Sequence, residues 1–152
     1  MSGLQQATFG AGCFWGAEAA LRELHGVVDS RVGYAAQAGR SEPLIEVVQV
    51  DFDPGVIDYP ALVEAFWGLH DPTSRDRQGD NIGVKYRSAI FVHSPQQAAI
   101  AELARAELEA SRRFNRAIAT VVVPLGTFEL AAEDQQRYLE RNGLTACSIS
   151  HA

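Results

Sequence analysis

Leu44-Ile45-Glu46-Val47-Val48-Gln49-Val50-Asp51-Phe52 is the clearest strand in this 152-residue chain. Its β-branched centre, Val47-Val48, predicts burial. Upstream, Ala7 to Gly10 reads as a short strand entering a glycine turn. Gly16 to His25 carries Ala20, Leu21 and Leu24 at helical spacing, and Val27 to Tyr34 is β-prone. Ala35 to Pro43, broken by Gly39, Ser41 and Pro43, reads as a loop. Downstream, Asp58 predicts the cap of a helix from Tyr59 to about His70, with Pro60 tolerated in its first turn. Leu62, Val63, Phe66 and Trp67 give that helix its apolar face and place Trp67 in the core. Asp71 to Lys85 is a long polar loop, and Arg87 to His93 a strand. Ser94-Pro95 opens an amphipathic helix to about Arg113. Ala119 to Pro124 reads as a strand, and Ala131 to Asn142 as a final helix ending at Gly143.

Interleaved strands and helices predict an α+β chain. The expected architecture is one domain over residues 1–152, a two-layer α/β sandwich with a mixed sheet and a ferredoxin-like core. A flexible tail from about residue 144 completes it.

Hydrophobic residues make up 47% and charged residues 21%, the balance of a globular protein with a real core. A formal charge of −6 argues against a general nucleic-acid or anionic-membrane surface. The start Met-Ser-Gly-Leu-Gln-Gln has neither a basic region nor an apolar run of a secretory signal. Two cysteines far apart make neither a disulfide framework nor a zinc pattern, and the scattered histidines suggest no metal site. A cytoplasmic location is the simplest expectation, because reactive cysteines there cycle rather than stay paired.

Chemistry concentrates in Gly12-Cys13-Phe14-Trp15-Gly16, at the predicted strand-to-helix junction. A thiol at a helix N-terminus faces unpaired N–H groups and the positive end of the helix dipole, which favour the reactive thiolate. Flanking glycines allow a sharp turn and keep the sulfur accessible. Phe14 and Trp15 supply an apolar wall. A free cysteine beside aromatics is more often a small core residue; the glycines and the helix start tip the reading to a nucleophile.

Four segments, taken in order, resemble the A-type peptide methionine sulfoxide reductases. They are Gly12-Cys13-Phe14-Trp15-Gly16, His70-Asp71-Pro72-Thr73, Arg77-Gln78-Gly79 and Tyr86-Arg87-Ser88-Ala89-Ile90. The resemblance implies that Cys13 attacks the sulfur of a methionine S-sulfoxide while Phe14 and Trp15 hold its methyl group. Glu46 matches the family's acid, which would protonate the sulfoxide oxygen. Burial near aromatics would keep it protonated at neutral pH; without the resemblance, a solvent-facing edge acid is the plainer reading. Tyr86 matches a tyrosine that donates to the same oxygen. Cys147 falls in the region of the resolving cysteine, which would condense with a Cys13 sulfenic acid. Thioredoxin is then the expected reductant and oxidised proteins or peptides the substrates, with no organic cofactor and no metal implied.

The chain departs from the family pattern in two places. The segment Ala35 to Ile45 is shorter and lacks the family's Thr-Tyr and Gly-His-Ala-Glu elements; Tyr34 matches a different family tyrosine and is not given the missing role. In Gln78-Gly79-Asp80-Asn81, Asn81 occupies the usual Asp position and Asp80 stands one residue earlier. Both are candidate pocket residues. These changes keep open a member with altered substrate, such as free methionine sulfoxide or other methyl sulfoxides. A peroxide-reducing or disulfide-exchange thiol enzyme and a non-catalytic methyl-sulfur binding module also remain open.

Overall fold

The computed structural model describes residues 3–142. The chain enters through β1 (Gln5–Gly10), turns at Cys13 into α1 (Phe14–Arg22), and returns along β2 (Val27–Gln37) and β3 (Ile45–Phe52). Next comes α2 (Tyr59–Trp67), capped by the Asp58 carboxylate, which accepts the Ala61 N–H. A small hairpin of β4 (Arg77–Gln78) and β5 (Asn81–Ile82) and a 3-10 turn at Val84–Tyr86 lead into β6 (Ala89–Val92). The long α3 (Pro95–Ser111) starts on the Ser94 hydroxyl as predicted, and β7 (Val121–Leu130) and the short α4 (Tyr138–Arg141) end the described residues.

The strands close into a barrel in the order β1-β3-β2-β7-β6, with β6 pairing back onto β1. All pairs are antiparallel except β6–β7. The expected two-layer, ferredoxin-like sandwich is therefore corrected to a closed mixed barrel with helices on its outside. The cause lies in β7, which runs six residues past the expected end at Pro124. Its first half, Val121 to Pro124, pairs with Ala89 to Val92 of β6; its second half, Leu125 to Leu130, pairs with Gln37 to Gly33 of β2. Pro124 and Gly126 look like breakers, yet Gly126 sits where a Cβ would meet the Ala38 backbone at 2.7 Å. The bareness of glycine lets the strand cross β2 closely at the barrel corner, beside the register shift between Ala35 and Gln37.

Closure gives β3 two buried faces. Val48, Val50 and Phe52 pack outward with Phe9, Leu21, Val32, Leu62, Phe66 and Ile90 in the main core under the helices. Ile45 and Val47 point inward with Ala35, Ala89 and Phe91. The predicted burial of Val47-Val48 is observed, and Trp67 is core at 2% exposure. Glu46 lies on the outward face with Val48, toward α1.

The predicted helix over Ala131 to Asn142 is a second correction. A 3-10 turn at Glu133–Gln135 comes first, Arg137 takes a left-handed conformation at φ 51°, and only Tyr138–Arg141 is helical. Tertiary hydrogen bonds outcompete helix propensity there. The Gln136 amide bonds both the N–H and the carbonyl of Val32, and the Arg137 N–H donates to buried Glu18 at 2.7 Å.

Candidate active site

Cys13 is the N-cap of α1, its backbone extended at φ −60° and ψ 123°. Its neighbour Gly12 has φ +86°, and a Cβ there would lie 2.7 Å from the Gln78 side chain, so both conformation and space demand glycine. Cys13 is half-buried rather than sealed in the core, and no acidic residue occupies the first turn of α1. When Cys13 is reduced, the positive end of the α1 dipole favours a thiolate at this position. In this structure the Cys13 sulfur is disulfide-bonded. Cys147 lies outside the described residues, as does the expected tail.

Glu46 is brought to this turn. The residue is 7% exposed, and its Oε1 accepts the Phe14 N–H at 3.3 Å, one residue beyond Cys13. Burial raises its pKa, and the Phe14 N–H and the Lys85 ammonium pull it part of the way back. The solvent-facing reading of Glu46 is thereby excluded. Directly across the strands, Tyr34 of β2 pairs with Glu46, and its ring packs 5.6 Å from that of buried Phe14. Burial first and then the neighbouring Glu46 raise the pKa of the Tyr34 hydroxyl. Tyr86 closes the 3-10 turn, half-buried, with the Lys85 ammonium 5.1 Å from its ring centre.

Trp15 forms a shelf beside this group. Its indole stacks on Tyr138 at 3.9 Å and 12°, and its Nε1–H donates to Gln135 at 3.0 Å. Sequence reasoning missed Tyr34, Lys85, Gln135 and Tyr138. A cross-strand match of Tyr34 with Glu46 was available once β2 and β3 were paired; no local signal marks the other three.

Asp80 is exposed at the β4–β5 hairpin, and Asn81 is half-buried opposite Gln78. Neither side chain hydrogen-bonds or ion-pairs with another described residue. The hairpin also reaches the Cys13 turn through Gln78, whose side chain covers Gly12 and exchanges hydrogen bonds with the Asp71 backbone at 2.9 Å. Among the described residues no group of three His, Cys, Asp or Glu is placed to hold a metal. No described helix is long and apolar enough to cross a membrane.

A turn that sets a cysteine at a helix start beside a buried carboxyl suits nucleophilic sulfur chemistry coupled to proton delivery. Known proteins narrow that class. The model of the peptide methionine sulfoxide reductase family matches residues 5–152, and the chain belongs to that family. The peptide methionine sulfoxide reductase MsrA of Acidobacterium capsulatum is 48% identical, over 96% of this chain and all of that protein. Its counterpart in Methanothermobacter thermautotrophicus is 46% identical, over 98% of this chain and 94% of that protein. Among solved structures, reduced Mxr1 of Saccharomyces cerevisiae superposes with a TM-score of 0.83 at 32% identity, covering 92% of this chain and 86% of that one. Mxr1 in complex with Trx2 matches with a TM-score of 0.68 at 32% identity, covering 89% and 84%.

Proposed function

We propose that Cys13 is the nucleophile and Glu46 the proton donor of a thiol-dependent reduction of methionine S-sulfoxide. The observation that carries the assignment is the Phe14 N–H held on the carboxylate of Glu46, which fixes a buried acid at the cysteine turn. The net step moves oxygen from the sulfoxide sulfur to Cys13. The sulfoxide is reduced to a thioether, and the thiol is oxidised to a sulfenic acid. Glu46 gives its proton to the oxygen as the S–O bond of the sulfoxide breaks, and recovers it from the thiol or solvent. Tyr86 donates to that oxygen as negative charge develops. Phe14 and the Trp15 shelf receive the methyl group.

The Cys147 thiol then condenses with the sulfenic acid, forming a disulfide and releasing water. Its role is supported by the sequence, which holds no third cysteine. Thioredoxin returns both sulfurs to thiols by exchange, as the family and the Mxr1–Trx2 pairing support. Substrates are oxidised peptides or proteins in the cytoplasm. Asp80 and Asn81, at the hairpin, contribute to the pocket edge, and the short segment from Ala35 to Ile45 opens it toward free methyl sulfoxides.

Incubation with each epimer of a methionine sulfoxide and dithiothreitol tests the reading. Methionine should form from the S epimer alone and vanish with Cys13→Ser. Cys147→Ser should keep one turnover and lose thioredoxin-driven recycling. Binding without turnover by the unmodified chain would overturn the catalytic reading.

A further inference from the structure

The steps above leave one charged group of the cavity unused. Lys85 stands in the 3-10 turn beside Tyr86, with its side chain 54% exposed and its Nζ 3.7 Å from Glu46 Oε2. The two oxygens of Glu46 are thus divided: Oε1 faces the Phe14 N–H inside, and Oε2 faces Lys85 at the mouth. We propose that Lys85 is a positioning residue for the reaction: its ammonium holds the outer oxygen of Glu46 and governs when that carboxyl is available as a proton donor. The inference rests on the reading of Glu46 as the acid.

The groups facing this ion pair come from four elements. Glu46 comes from β3, Tyr34 from β2, Tyr86 from the same turn, and the Phe14 N–H, next to Cys13, from the start of α1. Lys85 supplies the positive charge among them. The next basic residue, Arg87, is turned away and bound to Asp76 at 2.8 Å. Tyr86 first, against the effect of burial, and then Glu46 and Tyr34 raise the pKa of Lys85, so it stays a cation across the working range. Two opposed effects therefore meet on Glu46: burial favours the neutral acid, and Lys85 favours the anion. A half-exposed lysine at 3.7 Å is screened by water and salt, so it trims the acid's proton affinity without inverting it.

The test titrates the Glu46 carboxyl directly, by infrared difference or carbon NMR, in full-length Cys13→Ser protein so that the thiol does not contribute. Lys85→Gln should move the midpoint to higher pH, and Lys85→Arg should leave it near the parent value. In protein with Cys13 intact, the alkaline limb of kcat/KM should move the same way. At the pH where the unmodified enzyme has fallen to half its plateau, the Lys85→Gln rate should rise by up to about twofold. An unmoved midpoint in Lys85→Gln overturns the inference and leaves the acid in place. Retention of full rate and of the alkaline limb in Glu46→Gln overturns the acid assignment itself, whatever Lys85 does.

Discussion

Among the titratable side chains that burial perturbs in this molecule, His70 and Glu46 are treated in opposite ways. His70 is closed off: Nδ1 faces the Phe66 carbonyl at 3.0 Å and Nε2 the Ser88 hydroxyl at 2.6 Å, with Thr120 2.6 Å beyond it. Both ring nitrogens are satisfied, and burial lowers the pKa to about 4, so the ring stays neutral. Glu46 is left half-answered, with one backbone N–H inside and one screened ammonium at the mouth. A fully bonded buried group fixes structure; an incompletely bonded one with a perturbed pKa is a candidate for proton exchange. The family-like motifs separate along this line. His70-Asp71-Pro72-Thr73 and Arg77-Gln78-Gly79 brace the loop, through Thr73 on Asp71 and Gln78 on the Asp71 backbone. Tyr86 and Glu46 instead meet around Lys85 beside the start of α1.

Glu46→Gln should break the comparison most sharply. The amide keeps the shape and can still accept the Phe14 N–H, but has no proton to deliver to the oxygen. S-sulfoxide reduction should fall about 10²–10³-fold in kcat/KM. Thermal unfolding should be unchanged or slightly raised, because an uneasily buried carboxyl has been made neutral. Equal losses of rate and stability would mean that Glu46 is structural after all.

Acid unfolding separates the two sites by sign. Neutral His70 in the fold, against an ordinary value of 6.5, means the unfolded chain binds the extra proton. Stability therefore falls as pH drops from about 6.5 to about 4, by about 3 kcal/mol in all. Glu46 works in the opposite direction. Its folded value lies above the ordinary 4.5, so its contribution to stability is complete below 4.5 and lost as pH rises through the raised value. Urea unfolding between pH 7 and 4 should show a net loss that His70→Gln flattens and Glu46→Gln deepens.

How far these sites could be read in advance follows from the range of the contacts. The Cys13 turn was legible because its backbone signals lie within a few residues, Gly12 at positive φ and a helix start, whereas Gln78 over Gly12 and Glu46 on the Phe14 N–H come from far along the chain. Asp58 and Ser94 were legible for the same reason. Glu46 was visible as a site residue only through family resemblance, since its alternation with Val47 and Val48 fits any half-buried strand. Barrel closure was hidden because it needs β7 to bind β6 along one half and β2 along the other, past a proline and a glycine that locally signal an end. The broken final helix was hidden because its disruption comes from Glu18 and Val32, more than 100 residues away in sequence.

Gln135 offers a finer probe on the chemical side. Its Oε1 holds the Trp15 Nε1–H at 3.0 Å, so it fixes the shelf without facing the reacting atoms. Gln135→Ala should free one half-buried indole donor, at about 1 kcal/mol. The loss should read as a rise of about fivefold in KM with kcat nearly kept, because methyl-group binding weakens while proton delivery does not. A fall in kcat with KM constant would instead join Gln135 to the acid.

Tyr59 marks the structural limit of the comparison. Its ring stacks 6.3 Å from Phe9 and 6.4 Å from Phe52, and its hydroxyl is buried with no hydrogen-bond partner among the described residues. Burial raises the phenol's pKa, so it is neutral at every pH considered above. Unlike His70 it gains no partner, and unlike Glu46 it faces no substrate; its oxygen only forfeits hydration. Tyr59→Phe should therefore be neutral or stabilising by up to about 1 kcal/mol, with reductase activity intact. Chemical denaturation checks this. A loss of stability beyond 1 kcal/mol would mean the hydroxyl holds an ordered water, which would place Tyr59 with His70 as a satisfied structural group.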